Sequence, residues 1–283
     1  MFMIDPFAEL SASIPSNIMQ GYLVLMVLLV AGGTILDMIH KKSAQYFFEN
    51  AENAKKSAKR SVGAGEKVGL AIQTVASEVL TSSEFCSTRR RLSHLLTMYG
   101  FIIFVVTTSL MIFGVSAAIL PQLWHAGAIM LCVGGYWFWF FIRVDVAAEG
   151  TKWYHLVRAD IFIVSLFTTA TFALIWSYFQ SKGMSGRVGD LGLTTLFFAL
   201  FIISSTMLFS TVLWSKFAHM FFKPVAAFQK KVTRADGSRE NLPADFDLTD
   251  PEVQKKFPDI PQYMGVNPPN MGLGIKREKP NHY

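Results

Sequence analysis

The apolar residues of this chain come in five long blocks separated by polar segments. A helix that spans a bilayer needs about 20 mostly apolar residues, and the blocks approach or exceed that length. Backbone N–H and C=O groups find no water inside lipid, so each spanning block must be helical. We therefore predict an all-α integral membrane protein, a five-helix bundle over Gly21–Met38, Leu95–Leu120, Trp124–Ile142, Ile161–Gln180 and Leu191–Phe222. Proline is expected only at block edges, as at Pro121 and Pro224.

The first block does not have the pattern of a cleavable signal peptide. Such a peptide opens with basic residues and ends at a small-residue cleavage site. Residues 1–20 contain no Lys or Arg, and the block ends in Asp37 and His40. We expect residues 1–40 to form an external N-terminus and a retained first span.

Basic residues fall almost entirely on one side of the predicted bundle. Of 26 Lys and Arg residues, 24 lie in the 41–92 loop, the 143–160 loop or the segment from Lys216 onward, and Lys182 and Arg187 lie on the other side. Loops rich in Lys and Arg stay in the cytoplasm. The pattern predicts an external N-terminus, a cytoplasmic 41–92 loop and a cytoplasmic C-terminal tail. It also accounts for the net charge of +6 without nucleic-acid binding.

The 41–92 loop contains a second helical pattern. In EKVGLAIQTVASEVLTS, apolar residues recur at helical spacing, which predicts an amphipathic helix; they are Val68, Ala71, Ile72, Val75 and Val79. Such a helix suits the membrane surface or a partner protein. Packing of the same face against the protein's own bundle explains the pattern equally well.

The tail, residues 223–283, follows spans two to five, which are predicted within 93–222, and is polar and proline-rich. It has too few apolar residues for a core of its own. An extended segment lying along another protein and a disordered tail both agree with this composition. Its scattered anchor residues are Phe246, Phe257, Ile260, Tyr263, Met264 and Met271.

Composition limits the chemistry of the chain. Its 52% hydrophobic and 16% charged residues do not suit a soluble domain of 283 residues. Two cysteines, Cys86 and Cys132, are too few for an iron–sulfur cluster, which takes about four. No G-x-S-x-G, P-loop, H-E-x-x-H or C-x-x-C motif is present, so we expect no bond-making catalysis. The pair Gly134–Gly135 suits close helix packing.

Two of the six histidines suggest a haem site. His94 opens the second predicted span and His219 stands one turn before the fifth span ends, so both are expected at the same depth. Imidazoles on facing helices can hold one b haem between them as its two iron ligands. Arg91 and Lys223 would then pair with the haem propionates. A histidine at a membrane interface is also often a plain headgroup-level residue, and His40 and His155 could compete as ligands.

Other polar residues near the span ends have simpler interpretations. His125 is expected at the external edge of the third span, beside Trp124 in an aromatic belt. The charged residues near span ends could form ion pairs, provide a proton route to quinone, or mark the cytoplasmic boundary. They are Asp37, Arg143, Asp145, Arg158 and Asp160. Few polar residues occur in mid-membrane, which argues against a transporter.

The histidine positions resemble those of the haem b membrane subunits of the nitrate reductase gamma and heterodisulfide reductase type. The matching runs are R-x-x-H-x-x-x-x-x-G in Arg91 to Gly100 and S-K-x-x-H-x-x-x-x-P in Ser215 to Pro224. Nitrate reductase subunits carry a second histidine about three turns deeper in each helix. Phe104 and Phe201 stand near those depths here, so the resemblance implies a single haem on His94 and His219.

A closer resemblance covers nearly the whole chain. MYGFIIFVVTT, VGGYWFWFFIRVDVAAEG and FPDIPQYMGVNPPN look like the membrane anchor associated with dissimilatory adenylylsulfate reductase in sulfur-oxidising bacteria. The chain is also similar to a shortened quinone-interacting membrane oxidoreductase subunit. This implies a subunit of the bacterial cytoplasmic membrane that docks the alpha and beta subunits of adenylylsulfate reductase. Electrons from sulfite oxidation would pass to quinone, or the chain would be a haem-free scaffold, or it would serve another oxidoreductase.

Overall fold

The structure is a computed structural model that describes residues 1–41, 43–83, 85, 87–146, 149–183, 187–212, 219–238 and 250–256. At 41, 43–46, 219–221 and 254 this description covers the backbone alone. The described residues contain helices and no β-strand, which confirms the all-α prediction. The six tail anchors predicted above lie outside the described residues.

The helices follow one another with short connections. In chain order they are α1 (Pro6–Leu10), α2 (Ser16–Lys41), α3 (Ser43–Lys56), α4 (Ala64–Thr74), α5 (Thr88–Ile112), α6 (Ile119–Trp137), α7 (Ile161–Lys182), α8 (Leu193–Ser210), α9 (His219–Ala235) and α10 (Pro251–Lys256). The π-helical segments Val75–Leu80 and Phe138–Ile142 continue α4 and α6, and a 3-10 turn, Arg158–Asp160, precedes α7.

Five helices of the described chain are long and apolar enough to cross a membrane. Their spanning segments are Ser16–His40, Thr88–Ile112, Ile119–Ile142, Arg158–Lys182 and Leu193–Ser210. The protein is therefore a multi-pass helical membrane protein, as predicted.

The fifth span is shorter than predicted. Its helix ends at Ser210, with Thr211 leaving the helical conformation at φ −95° and ψ 22°, and the next described helix, α9, begins at His219. Hydropathy remains high across the break because α9 itself opens with apolar residues, so the block Leu191–Phe222 joined two helices. Pro224 lies inside α9 and Pro121 in the first turn of α6, so the expectation of proline at block edges was wrong for Pro224.

The bundle end that carries the N-terminus is closed by α1. The ring of Phe7 packs edge-on against Trp124 and Trp176, with centroid distances of 5.9 and 5.5 Å. The side-chain amide of Gln180 donates to the carbonyl oxygen of Pro6 at 2.8 Å. Aromatic burial and this hydrogen bond together fix α1 across the end of α6 and α7.

Small residues allow α5 and α6 to lie in close contact. A Cβ at Gly100 would lie 2.9 Å from the carbonyl oxygen of Gly127, and one at Gly134 would lie 2.9 Å from the carbonyl oxygen of Ser93. The hydroxyl of Ser93 donates to the Gly134 carbonyl oxygen at 2.9 Å. A Cβ at Gly135 would lie 2.8 Å from the Cβ of Phe167 in α7. The prediction of close packing at Gly134–Gly135 is confirmed, with each glycine facing a different neighbour.

At the opposite end, the 41–92 loop and α9 pack together. The Lys231 ammonium lies 3.5 Å from the Glu78 carboxylate, and the backbone N–H of Lys59 donates to the carbonyl oxygen of Asp236 at 2.8 Å. We call this end, formed by the 41–92 loop, the 143–160 loop and α9, the basic end. Over α9 the tail is a helix packed on the loop, so neither an extended nor a disordered segment describes its first part.

A surface ion pair braces the turn between α3 and α4. Arg60 donates to both carboxylate oxygens of Glu66, at 2.9 and 2.5 Å, and to the carbonyl oxygen of Ala235 at 2.6 Å. The hydrogen bonds from Arg60 lower the pKa of the Glu66 carboxyl. Because the pair is exposed, it fixes the geometry of the turn more than it stabilises the fold.

The predicted amphipathic helix is present as α4 and its π-helical continuation. Its apolar side chains Val68, Ile72 and Val75 are 59%, 65% and 49% exposed. The protein's own bundle therefore does not cover these three side chains, whereas Ala71 and Val79 of the same pattern are half-buried. The hydroxyl of Tyr99 donates to the carbonyl oxygen of Leu80 at 2.7 Å, which ties the end of this segment to the second span.

Candidate functional site

The candidate site lies where α5 begins at the basic end. Ser87 is extended and precedes the first helical residue, Thr88, and the backbone N–H of Arg91 donates to the Ser87 carbonyl oxygen at 3.0 Å. His94 lies in the second turn of α5, and its side chain is exposed. This agrees with the prediction that an imidazole stands at the point where the second span begins.

An aromatic residue joins two of the predicted site residues. The ring of Phe85 lies 4.9 Å from the His94 ring, centroid to centroid, and the Lys223 ammonium lies 5.0 Å from the Phe85 centroid. His94 and Lys223 are thus brought together through a residue that the sequence analysis did not select. An apolar residue within the polar run SSEFCST was the signal that could have identified Phe85.

His219 opens α9, one turn before Lys223. Its side chain lies outside what the structure describes. The contact of Phe85 with both His94 and Lys223 brings the first turns of α9 beside the start of α5. The two predicted ligands therefore belong to neighbouring helical segments, although His219 belongs to a separate helix and not to the fifth span.

The expectation that His94 and His219 share a depth assumed a continuous fifth span, which instead ends at Ser210. Phe104 contacts Phe201 and Phe101 contacts Phe209, with centroids 6.5 and 6.4 Å apart, so α5 and α8 run antiparallel in a fixed register. In that register, a straight continuation of α8 would bring about residues 211–216 opposite His94. Span geometry alone therefore does not give His219 the depth of His94.

The arginines at the start of α5 tie loops together. Arg91 donates from Nε to the carbonyl oxygen of Thr81 at 2.7 Å, and the Arg90 guanidinium lies 3.7 Å from the Glu149 carboxylate. Arg91, predicted to pair with a propionate, thus holds the end of the 41–92 loop. Arg90 links this loop to the 143–160 loop at the same end of the bundle.

The remaining described histidines occupy different surroundings. His40 and His155 are exposed at the basic end. His125 is fully buried, with Nδ1 2.6 Å from the Pro121 carbonyl oxygen and Nε2 2.8 Å from the Ser177 hydroxyl. The expected aromatic-belt position of His125 was wrong, because α6 begins at Ile119 and carries this residue into the core.

One of the predicted ion pairs is present and deeply buried. The Arg143 guanidinium forms a very short contact with the Asp160 carboxylate and donates to the carbonyl oxygens of Lys152 and His155 at 3.0 and 2.7 Å. It also lies 4.2 Å from the Trp139 ring centroid. With these partners, Arg143 organises the 143–160 loop, and a structural role accounts for its burial.

The surroundings of His94 suit a haem in part. An exposed imidazole, an aromatic wall from Phe85 and a cation from Lys223 are the group types that a b haem needs as ligand, wall and propionate partner. Phe104, deeper in α5, is buried and stacks on Trp124 with ring centroids 5.2 Å apart, so it faces the core and not this site. Among the described residues, no cluster of three or more His, Cys, Asp or Glu side chains could hold a metal ion.

Comparisons with protein-family models, with curated proteins and with solved structures found no match to this chain.

Proposed function

We propose that this protein is the membrane subunit of an oxidoreductase complex, which docks a cytoplasmic enzyme and relays its electrons to quinone. The sequence resemblance names adenylylsulfate reductase, through its alpha and beta subunits, as that enzyme. The observation that carries the proposal is the contact of Phe85 with both His94 and Lys223. It joins a candidate ligand on the second span to α9, the helix on which the second candidate ligand stands.

The basic end supplies the proposed docking surface. Its α4 helix exposes Val68, Ile72 and Val75, and Arg90, Lys231 and the backbone of Lys59 hold the loops and α9 together. Exposed apolar side chains on loops and helices that are held in place by such contacts are typical of a surface that binds a protein partner. In the proposed orientation this surface lies in the cytoplasm, where adenylylsulfate reductase would approach it.

Haem b, held by His94 and His219, would supply one-electron transfer between the docked enzyme and quinone. The chain's own contribution is to hold the imidazole of His94 at the start of α5 and to bring Lys223 beside it. Exposure of the His94 side chain keeps it accessible from the membrane edge.

The test is a reduced-minus-oxidised absorbance spectrum of the purified full-length protein. We expect a b-type difference spectrum that is lost in His94→Ala and in His219→Ala. His40→Ala and His155→Ala are matched controls, since both side chains are exposed histidines at the same end, and both variants should keep the spectrum. Loss of the spectrum in a control variant but not in His94→Ala would assign the ligand elsewhere.

A haem-free scaffold for the reductase is the second candidate. The separation of His219 from the fifth span favours it, because the two histidines are not held by one pair of membrane-spanning helices. A purified complex that contains the reductase but no haem would decide for the scaffold. Mass spectrometry of the co-purifying subunits distinguishes adenylylsulfate reductase from another oxidoreductase partner.

A further inference from the structure

A large cavity separates the first span from the rest of the bundle. Within an apolar 18-residue stretch of this span, only 11% of the residues are buried, against 44% in the corresponding stretches of the third and fourth spans. The cavity has a volume of about 650 Å³. Its walls run between Met19 and Ile35 of α2, Phe101 and Ile112 of α5, and Phe201 and Phe209 of α8.

The position of the cavity restricts its occupant to molecules dissolved in the bilayer. All five membrane-spanning helices contribute side chains to its walls, and most of these side chains are apolar. The volume falls in the range of sites that bind small molecules, about 300–1,000 Å³. A lipid acyl chain and the tail of an isoprenoid quinone both meet these conditions, and polar groups in the wall distinguish them.

A hydroxyl group in the wall favours an occupant with a hydrogen-bond acceptor. The Thr34 hydroxyl oxygen is buried and makes no hydrogen bond with any residue that the structure describes. An acyl chain offers no acceptor, whereas the ring carbonyl oxygens of a quinone accept hydrogen bonds. A buried hydroxyl without a partner is unfavourable.

The depth of Thr34 relates the cavity to His94. The side-chain amide of Gln20 donates to the Ile112 carbonyl oxygen at 3.3 Å, which fixes the antiparallel register of α2 and α5. Both helices rise about 1.5 Å per residue, so Thr34 lies opposite about residue 98 of α5. His94 is therefore about one helical turn away in depth from Thr34.

We propose that this cavity binds an isoprenoid quinone, with a ring carbonyl oxygen accepting from Thr34 and the tail extending toward Met19. The identity of the occupant rests on the proposed function, which requires a quinone near His94. Tyr22 closes the side toward α8, with its hydroxyl 3.0 Å from that of Thr206. Thr34 is then a binding residue at the basic end of the cavity, and Ala31, one turn earlier, lines the tail path.

Quenching of tryptophan fluorescence by decylubiquinone tests this site in the full-length detergent-solubilised protein. Trp124 stacks on Phe104 and Trp176 stacks on Phe201, and both phenylalanines line the cavity, so a bound quinone should quench these indoles. We expect saturable quenching in the unmodified protein. Thr34→Val should weaken binding about fivefold, as for loss of one hydrogen bond, and Ala31→Phe should abolish the saturable component by filling the cavity.

Thr168→Val is the matched control, because the Thr168 hydroxyl bonds within its own helix, to Val164 at 2.7 Å, and does not line the cavity. It should bind as the unmodified protein does. Unchanged saturable quenching in both Thr34→Val and Ala31→Phe would overturn the proposal. So would competition by decylbenzene, which lacks the carbonyl oxygens, at the same concentration as decylubiquinone, since that result assigns the cavity to acyl chains.

The binding assay involves no electron transfer, so its result is separate from that of the haem spectrum. If the protein lacks haem but shows the expected quenching pattern, the quinone site is supported and the electron-relay proposal is rejected. If the protein contains haem but shows no saturable quenching, the electron-relay proposal stands and this quinone site is rejected.

Discussion

Arg143 shows how a charge is accommodated at the edge of this bundle. Its residue exposure is 1%, and its partner Asp160 is 8% exposed. Burial of either charge alone is costly, and the pair is tolerated because carbonyl oxygens from the 143–160 loop accept two further guanidinium protons. The same contacts that neutralise the charge therefore determine the conformation of this loop.

Arg143→Leu should destabilise the protein strongly, because it leaves the Asp160 carboxylate buried without its cation. The expected loss is about 3–5 kcal/mol in the free energy of unfolding, seen as a lower midpoint of thermal unfolding in detergent. Arg158→Leu is the control, since Arg158 is exposed two residues before Asp160 and should change the midpoint little. In Arg143→Leu/Asp160→Leu, part of the loss should be recovered; an equal loss in the single and double variants would contradict the argument.

Sequence reasoning identified the residues of this pair but not their pairing. Arg143 and Asp160 stand near span ends in the sequence, where ion pairs were one of three alternatives. The loop between them had no pattern that showed which carbonyl groups would turn inward. The prediction for His125 was wrong for a related reason. Its burial depends on the residue at which α6 begins, and the start of a helix is poorly marked within an apolar run.

At the scale of helices, the spans are held by different kinds of contact. The glycines of α5 and α6 allow backbone approach, whereas α2 touches its neighbours through isolated contacts such as Gln20 to Ile112 and Tyr22 to Thr206. Lipid does not drive helices together by the hydrophobic effect, so backbone approach and hydrogen bonds decide association. The loose first span leaves the cavity, and the tight α5–α6 pair forms one of its rigid walls.

Gly100→Ala should destabilise the α5–α6 pair, because its new Cβ would meet the backbone of α6 at 2.9 Å. We expect a loss of about 1–3 kcal/mol, as for overpacking of a tight core, measured as a lower thermal midpoint. Gly32→Ala is the matched control in α2, where an added Cβ meets nothing within 4 Å. Equal midpoints for the two variants would show that the close approach at Gly100 does not limit stability.

Helix count and type followed from hydropathy, whereas the end of the fifth span did not. The predicted block continued to Phe222 because residues beyond Ser210 remain apolar, and α9 begins with His219 and includes Phe222. A hydropathy window averages over such a break. This break affects the candidate site, because the sequence prediction had placed the two proposed haem ligands in two membrane spans.

At the scale of the whole molecule, the two ends of the bundle differ in kind. The N-terminal end is closed by α1 and an aromatic core, and the basic end is built from helices linked by ion pairs and backbone hydrogen bonds. The proposed partner and the proposed haem both belong to the basic end. The function therefore depends on which compartment that end faces, which the charge distribution predicts to be the cytoplasm.

Cysteine labelling of intact spheroplasts tests this orientation. In a background where Cys86 and Cys132 are replaced by serine, Ala12→Cys and Ala58→Cys introduce one exposed thiol at the N-terminal end and one at the basic end. A membrane-impermeant maleimide should label Ala12→Cys in intact spheroplasts and Ala58→Cys only after permeabilisation. The reverse pattern would place the basic end outside, where a cytoplasmic reductase could not dock, and would contradict the electron-relay and scaffold proposals together. Because the assay reports topology alone, it leaves the quinone cavity to be tested by its own binding measurement.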